Sequence, residues 1–247
     1  MAAKTNNGFT VIETMLFLGV AGALTMGVLV GSGASINQQR YRDSVNSLKS
    51  FIQQQYSEVT NVVNGRDGSE GCTNAVVIQP PATVTPQSRG TSDCMLMGRF
   101  ITVDATGKQL TASNVVGYRT SGAPEETSDI AEIRNNYRLG QSTINQETTD
   151  VAWGATIVSP QTTQPRALSM LIIRSPLSGS IMTYVQDGVQ TNLLSMVALG
   201  NSNQTHNLCL DTTAGTFMGN RMAVQISPYA TNQGAIQVPS ENLKVCD

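Results

Sequence analysis

The sequence predicts an α+β protein in which one long N-terminal helix packs on an antiparallel β-sheet. Three observations carry this prediction. Residues 9–39 are nearly free of charge, residues 41–63 repeat apolar side chains at helical spacing, and residues 64–247 hold short apolar runs separated by turn-forming residues. One helix followed by several strands is typical of a domain whose helix covers one face of its sheet.

The first part of the predicted helix is apolar on all sides. From Phe9 to Gln39 the one charged side chain is Glu13, and about 20 apolar residues are enough to span a bilayer. An ordinary secretory signal has an apolar core of roughly 7–15 residues, which is shorter than this run, and remains the alternative interpretation. Basic residues flank the segment on both sides, so the positive-inside rule does not fix its orientation.

The second part of the predicted helix is amphipathic. Its apolar residues are spaced by 4, 3, 4, 4, 3 and 4 positions, which is one face of an α-helix: Tyr41, Val45, Leu48, Ile52, Tyr56, Val59 and Val63. No Pro lies between Phe9 and Val63, and Asn64-Gly65 supplies a stop signal. We therefore expect one helix of about 55 residues, with a sheet packed on the stripe between residues 45 and 63.

Glycines recur in the apolar part of the predicted helix. Gly27 and Gly31 form a G-x-x-x-G pair, which lets two helices approach closely, although Gly is also frequent in ordinary membrane helices. Each Gly lowers helix propensity by up to about 1 kcal/mol. Residues 27–33 are therefore the place where we expect the helix could unwind.

The N-terminal pattern resembles a known signal. Gly8-Phe9-Thr10-Val11-Ile12-Glu13 followed by an apolar helix is similar to the start of type IV prepilins and type II secretion pseudopilins, over about 55 residues. The resemblance implies that a prepilin peptidase cuts between Gly8 and Phe9 and that the new amine of Phe9 is N-methylated. It also implies that Glu13 pairs with this amine of a neighbouring subunit in a filament. The alternative is that Glu13 snorkels to lipid headgroups. Many major pilins carry a Pro in the apolar part, and this chain has none there.

The resemblance also implies a division of the chain into four parts. They are a leader peptide at residues 1–8, a transmembrane and filament-core half-helix at residues 9–36, an amphipathic half-helix at residues 37–63 and a globular β-rich head at residues 64–247.

The head is predicted to contain strands and polar loops. The apolar, β-branched runs predict strands at residues 75–79, 95–103, 115–118, 167–174, 180–186, 190–197 and 222–227. Asp187-Gly188 predicts a hairpin between two of them, and residues 176–179 predict another turn. The acidic stretch at residues 124–134 starts like a helix, and residues 79–90 and 140–150 are expected to be surface loops.

The chain has four cysteines, an even count that favours disulfides in an exported protein. Sequence alone permits three pairings, and proximity favours Cys72–Cys94 and Cys209–Cys246. The second pair resembles the C-terminal disulfide loop of many pilins. Free buried thiols are the alternative in a reducing compartment.

Catalytic, metal and cofactor sites are not expected. The sole histidine, His206, lies three residues before Cys209, but no second pair has metal-ligand spacing, and no G-x-S-x-G motif accompanies a Ser. Residues 64–70 place oxygen ligands at short spacing but lack the order of a calcium loop. The formal net charge of −2 gives no reason to expect nucleic acid as the main partner.

The function expected from these features is structural. The chain is expected to start as a single-pass prepilin in the cytoplasmic membrane and to polymerise there into a type IV pilus on the cell surface, as a major or minor pilin, for adhesion, twitching motility or DNA uptake. Its expected partners are other pilin subunits, the prepilin peptidase and the pilus assembly machinery. A type II secretion pseudopilin and a membrane-anchored surface binding protein that never polymerises are the alternatives.

Overall fold

A computed structural model describes residues 10–61, 71–79, 92, 94–144, 146–212, 221–239 and 245–246 of the protein. The fold is α+β, with a long N-terminal helix, α1, at Val11–Asn61. The chain divides into two units, Met1–Arg40 and Tyr41–Asp247. Each unit is described separately, and α1 contributes residues to both.

The first unit consists, in its described part, of the N-terminal half of α1. The helix is continuous through residues 27–33, so the expected unwinding at these glycines does not occur in the single chain. The predicted helix spanned residues 9–63, and the structure has it at Val11–Asn61. The predicted stop at Asn64-Gly65 lies outside the described residues.

The second unit adds short helices and strands to the C-terminal half of α1. The helices are α2 (Asp129–Ala131), which continues as a π-helical turn (Glu132–Asn136), and α3 (Leu193–Met196). The strands are β1 (Gly71–Cys72), β2 (Ile78–Gln79), β3 (Cys94–Val103), β4 (Gln109–Arg119), β5 (Tyr137–Gln141), β6 (Glu147–Asp150), β7 (Thr156–Val158), β8 (Leu168–Arg174), β9 (Ile181–Asp187), β10 (His206–Asp211), β11 (Ala223–Ile226) and β12 (Ile236–Gln237).

The larger sheet is antiparallel and buried on both faces. Its strand order is β5-β4-β3-β8-β9, and β6 pairs with β4. Neighbouring residues such as Phe100 and Ile101 belong to two different apolar clusters, because successive side chains of a strand point to opposite faces. Six consecutive residues of β8, from Leu168 to Ile173, are therefore all buried.

The first face of the larger sheet packs on α1. The apolar stripe of the helix is buried in this cluster at Tyr41, Val45, Leu48, Ile52, Tyr56 and Val59. This confirms the predicted helix–sheet packing for the described part of the stripe. A smaller antiparallel sheet, in the order β12-β11-β10-β7, contributes to the same cluster through residues such as Leu208 and Val224.

The second face of the larger sheet is covered by the short helical segments. Ile133 of the π-helical turn and Met196 of α3 are fully buried against Phe100, Leu171 and Tyr184. The sheet thus lies between the long helix on one side and α2, the π-helical turn and α3 on the other.

Several sequence predictions for the head are confirmed. The strands predicted at residues 95–103, 167–174, 180–186 and 222–227 correspond to β3, β8, β9 and β11. The turn predicted at residues 176–179 joins β8 to β9, with Gly179 at a φ of +75°. The strand predicted at residues 115–118 is the C-terminal part of the longer β4.

The strand predicted at residues 190–197 and its hairpin at Asp187-Gly188 are wrong. Gly188 has a φ of +80° and directly follows β9, but residues 190–197 form no strand. Asn192 instead caps α3, accepting a hydrogen bond from the Ser195 N–H at 3.2 Å. An N-cap amide stabilises the start of a helix, and this signal outweighs the apolar run after it.

Three further predictions need correction. The loop predicted at residues 140–150 contains the end of β5 and the edge strand β6. The side chains of β6 are polar, and the strand is formed by backbone pairing to β4. The strand predicted at residues 75–79 is reduced to β2, because Val76 has a φ of +61° in a turn. The helix predicted in the acidic stretch starts only at Asp129, where Ser128 supplies the cap. Most of the loop predicted at residues 79–90 lies outside the described residues.

Two disulfides join elements of the second unit. Cys72 pairs with Cys94, which connects β1 to β3, and Cys209 of β10 pairs with Cys246. These are the two pairs that proximity in the sequence favours. The enclosed separations of 22 and 37 residues correspond to a stabilisation of about 3–4 kcal/mol each in the chain-entropy model.

Candidate functional site: the apolar half of the first helix

The helix starts with a side-chain cap next to Glu13. The Glu13 N–H donates to Thr10 Oγ1 at 3.3 Å, and the Thr14 N–H donates to the Thr10 carbonyl at 3.1 Å. Thr10 and Glu13 have the spacing of a capping box, and the helix dipole favours a carboxylate in the first turn. The cap and the helix dipole therefore both favour a Glu at position 13, in the first turn of α1. Gly8 and Phe9, the predicted processing site, lie outside the described residues.

The carboxylate of Glu13 has no partner within the described part of the chain. It lies on an exposed helix surface, and no described residue donates a hydrogen bond to its oxygens or forms an ion pair with them. Its neighbours Ile12 and Phe17 are 78% and 71% exposed. A charged side chain in an apolar medium costs about 2.5–3.5 kcal/mol or more without a partner. A group from outside the described residues is needed to offset this cost in lipid.

The other polar side chains of residues 11–30 are satisfied inside the helix. The Thr14 hydroxyl donates to the Val11 carbonyl at 2.9 Å, and the Thr25 hydroxyl donates to the carbonyls of Ala21 and Gly22 at 3.0 and 2.9 Å. Bonding to the preceding turn removes the need for water. Glu13 is therefore the one polar side chain of this segment that the helix itself does not satisfy.

The same segment exposes a continuous apolar surface. The exposed large side chains are Val11, Ile12, Met15, Leu16, Phe17, Leu18, Val20, Leu24, Met26, Val28, Leu29 and Val30. Exposed apolar patches of this extent mark membrane or protein interfaces. The helix is long and apolar enough to cross a membrane.

The glycines of the apolar half are not required by packing inside the chain. A β-carbon added at Gly19, Gly22, Gly27, Gly31 or Gly33 would meet no atom within 4 Å. Each glycine lowers helix stability by about 0.5–1 kcal/mol relative to alanine. Nothing in the described chain offsets this cost, so any compensating contact lies outside it.

The second half of α1 is held by polar contacts that the sequence pattern did not reveal. The buried Arg99 of β3 donates from Nε to Gln55 at 2.7 Å and forms ion pairs with Glu58 at 3.1 Å and Glu147 at 3.6 Å. Its Nη1 also donates to Asn114 at 2.8 Å. A network that satisfies a buried guanidinium from several elements fixes the helix against the sheet. The sequence offered one indication of this network. Because residues alternate between the two faces of a strand, Arg99 is expected on the same buried face as Ile101.

Tyrosines at two levels of the stripe add further contacts. The Tyr41 hydroxyl donates to the Leu210 carbonyl at 2.8 Å and accepts from the Met222 N–H at 2.6 Å. The Tyr56 hydroxyl lies 2.7 Å from Thr183 Oγ1, and burial raises the pKa of Tyr56 well above its ordinary value. Both hydroxyls therefore attach α1 to the strands through hydrogen bonds.

The other residues considered as metal ligands do not form a metal site within the described part of the chain. Cys209 is bonded to Cys246, so it is not available as a metal ligand beside His206. Burial and the positive charge of Arg166 lower the pKa of His206. No group of three potential metal ligands occurs among the described residues, and residues 64–70 lie outside them.

The structure thus brings two kinds of surface onto one helix, an apolar surface with a lone carboxylate in the first unit and a stripe fully used by packing in the second. Comparison with protein-family models, curated proteins and solved structures finds no match to this chain.

Proposed function

We propose that this chain is a structural subunit of a type IV pilus-like filament, made as a prepilin and polymerised through its N-terminal helix. The observation that carries the proposal is the exposed apolar surface of residues 11–30, on which Glu13 is the one charged side chain and lacks a described partner. The resemblance of Gly8-Phe9-Thr10-Val11-Ile12-Glu13 to prepilin signals supports it.

The proposed mechanism begins with cleavage between Gly8 and Phe9 by a prepilin peptidase in the cytoplasmic membrane. A glycine before the scissile bond has no side chain to obstruct a narrow protease site. The cut releases an amine on Phe9, one residue before Thr10, which caps the helix. N-methylation leaves this amine basic, so it stays positively charged.

Assembly then follows from charge pairing. The amine of one subunit approaches Glu13 of its neighbour, and the ion pair replaces a single unpaired carboxylate in lipid. Because that carboxylate costs about 2.5–3.5 kcal/mol in the membrane, pairing favours the assembled state over the monomer. The apolar side chains of residues 11–30 leave lipid for contacts between helices, and the glycines permit close approach.

The second unit serves as the head of the subunit in this proposal. The C-terminal half of α1 is attached to both sheets by its buried stripe and by the network around Arg99. Adhesion, twitching motility and DNA uptake are the roles proposed for the assembled filament.

The mature N-terminus tests the proposal. We expect intact-mass and peptide mass spectrometry of the full-length protein from its native membranes to find a chain beginning at N-methylated Phe9. A Gly8→Val variant should accumulate uncut, whereas Asn7→Ala should be processed normally. A mature chain that keeps Met1, or one cut near residue 35, would contradict the proposal.

A membrane-anchored protein that never polymerises is the second candidate, because the helix is long and apolar enough to act as an anchor alone. It predicts an unprocessed N-terminus and no filament. A type II secretion pseudopilin predicts the same processed N-terminus, and a filament confined to the periplasm would identify it.

A further inference from the structure

Two neighbouring loops of the second unit display large apolar side chains to solvent. Tyr229 lies between β11 and β12, and Leu199 opens a short helical turn before β10. Each side chain is 56% exposed. The Tyr229 N–H donates to the Ser202 carbonyl at 2.6 Å, and the Ser202 N–H donates to the Leu199 carbonyl at 3.2 Å. The first bond joins the two loops, and the second closes the helical turn that carries Leu199.

The Tyr229 loop is anchored on the core. The carbonyl of Ala230, the next residue, accepts from Thr183 Oγ1 at 2.9 Å, and Thr183 is bonded in turn to the Tyr56 hydroxyl of α1. Gln53 of α1 donates to the Gln233 carbonyl at 3.0 Å. An aromatic ring on a rigid loop loses little conformational freedom when it binds a partner.

Tyr229 also adopts a backbone conformation that does not suit it. Its φ of +50° lies in the left-handed region, which residues with a β-carbon seldom adopt and which Gly or Asn tolerates better. Strained residues of this kind occur preferentially at functional sites. The fold thus keeps an exposed aromatic ring at a position whose backbone favours a smaller residue.

The two loops that carry Tyr229 and Leu199 contribute amides and hydroxyls and no charged side chains. The two chain segments that form these loops, residues 189–206 and 222–239, contain no Asp, Glu, Lys or Arg. Exposed amides and hydroxyls accompany the two apolar side chains: Asn203, Gln204, Thr205, Thr231, Asn232 and Gln233. Loops that contribute no cation do not attract phosphate-rich partners such as nucleic acids or anionic lipids.

This chemistry matches an uncharged sugar. The C–H faces of a pyranose pack on an aromatic ring, and its hydroxyls both donate and accept, as the side-chain amides of Asn and Gln do. We propose that the surface formed by Leu199, Tyr229 and Asn203 binds neutral carbohydrate. This site goes beyond the filament function and does not depend on whether the chain polymerises.

Another exposed aromatic residue provides a matched control. Trp153 is 59% exposed and has a φ of +58°, but it lies in a different loop, three residues after the charged Asp150. Asn tolerates a positive φ, so Tyr229→Asn and Trp153→Asn each remove a ring while retaining the backbone conformation.

The test measures binding of full-length protein, in a detergent without sugar headgroups, to an array of uncharged oligosaccharides built from glucose, galactose, mannose and N-acetylhexosamines, with heparin as the charged probe. We expect binding to at least one neutral oligosaccharide, weakened at least about tenfold by Tyr229→Asn and less than about twofold by Trp153→Asn. Tyr229→Asn should not lower the melting temperature.

Four results would overturn the carbohydrate site. They are no binding to any neutral oligosaccharide, binding to heparin alone, binding that Tyr229→Asn leaves intact, and equal losses in the two variants. Attachment to cells that survives enzymatic removal of their surface glycans would indicate a protein partner and would also reject the site.

Discussion

The two halves of α1 differ in where their contacts lie. In the C-terminal half, Leu48 is 4% exposed and Glu58 is paired with Arg99. In the N-terminal half, Leu24 is 66% exposed and Glu13 has no partner among the described residues. Periodic apolarity is thus used for packing within the chain, whereas the uniformly apolar half packs on no other described part of the chain. One helix can therefore stabilise a folded unit with one half and offer an interface with the other.

Two leucines of α1 give the largest expected effect. Leu48→Ala should lower the free energy of unfolding of the second unit by about 2–5 kcal/mol, because it leaves a cavity in the core. Leu24→Ala should change it by less than about 0.5 kcal/mol. Urea unfolding of the full chain in micelles, followed by near-ultraviolet circular dichroism, measures both. Equal losses would mean that the two halves do not differ in this way.

Two glycines, one in each unit, give the next largest expected difference in stability. A β-carbon at Gly98 of β3 would collide with the Ile172 carbonyl of the adjacent strand, whereas one at Gly27 would meet nothing. Gly98→Ala should destabilise the second unit by about 1–3 kcal/mol, and Gly27→Ala should leave it unchanged while stabilising α1. The same unfolding measurement tests the pair, and a tolerated Gly98→Ala would contradict the close strand approach.

The charge network at the second half of α1 should contribute less. Arg99→Met is expected to cost about 1–2 kcal/mol, less than the roughly 3–5 kcal/mol for breaking a fully buried ion pair, because Glu58 and Glu147 are 28% and 40% exposed and can be hydrated. Combining Arg99→Met with Glu58→Gln should recover part of the loss. Additive losses in the double variant would show that Arg99 and Glu58 are not coupled.

Acid should destabilise the second unit by protonating Glu132, and this is the smallest of the expected effects on stability. The Glu126 N–H donates to this buried carboxylate, Asn136 and Arg119 add to the interaction, and the pKa of Glu132 is lowered as a result. A lowered pKa contributes stability above the ordinary carboxyl value near 4.3, and this contribution is lost as the pH falls through the lower value of the folded state. The melting temperatures of wild type and Glu132→Gln should therefore differ at pH 6 and converge in acid. A constant difference across this range would contradict the assignment.

Much of the fold could be predicted because the buried face of a helix or strand repeats apolar residues at the period of that element. The stripe from Tyr41 to Val59 and the apolar runs of β3 and β8 are visible in this way. The edge strand β6 could not be found, because its sequence Glu-Thr-Thr-Asp is polar and its structure comes from backbone pairing with β4. α3 was missed because Leu193, Met196 and Val197 fit a strand as well as a short helix, and the cap at Asn192 decides between them.

The candidate site was predictable in a different way. The lone charge in residues 9–39 singled out Glu13 without any structure. The contacts around Arg99 were not predictable, because Gln55, Glu58 and Glu147 come from distant positions that only the tertiary fold brings together. A sequence shows which groups need partners more readily than it shows which partners they find.

The role of Glu13 in assembly is the central claim, and two valine substitutions test it most directly. Glu13→Val removes the unpaired charge, and Thr14→Val removes a neighbouring hydroxyl that the helix already satisfies. Both variants should insert into the membrane at wild-type levels. Quantifying each in filaments sheared from cells, we predict that Thr14→Val is incorporated normally and that incorporation of Glu13→Val falls at least about tenfold, since the lost pairing is worth more than 1.4 kcal/mol. Normal filaments containing Glu13→Val would contradict the account.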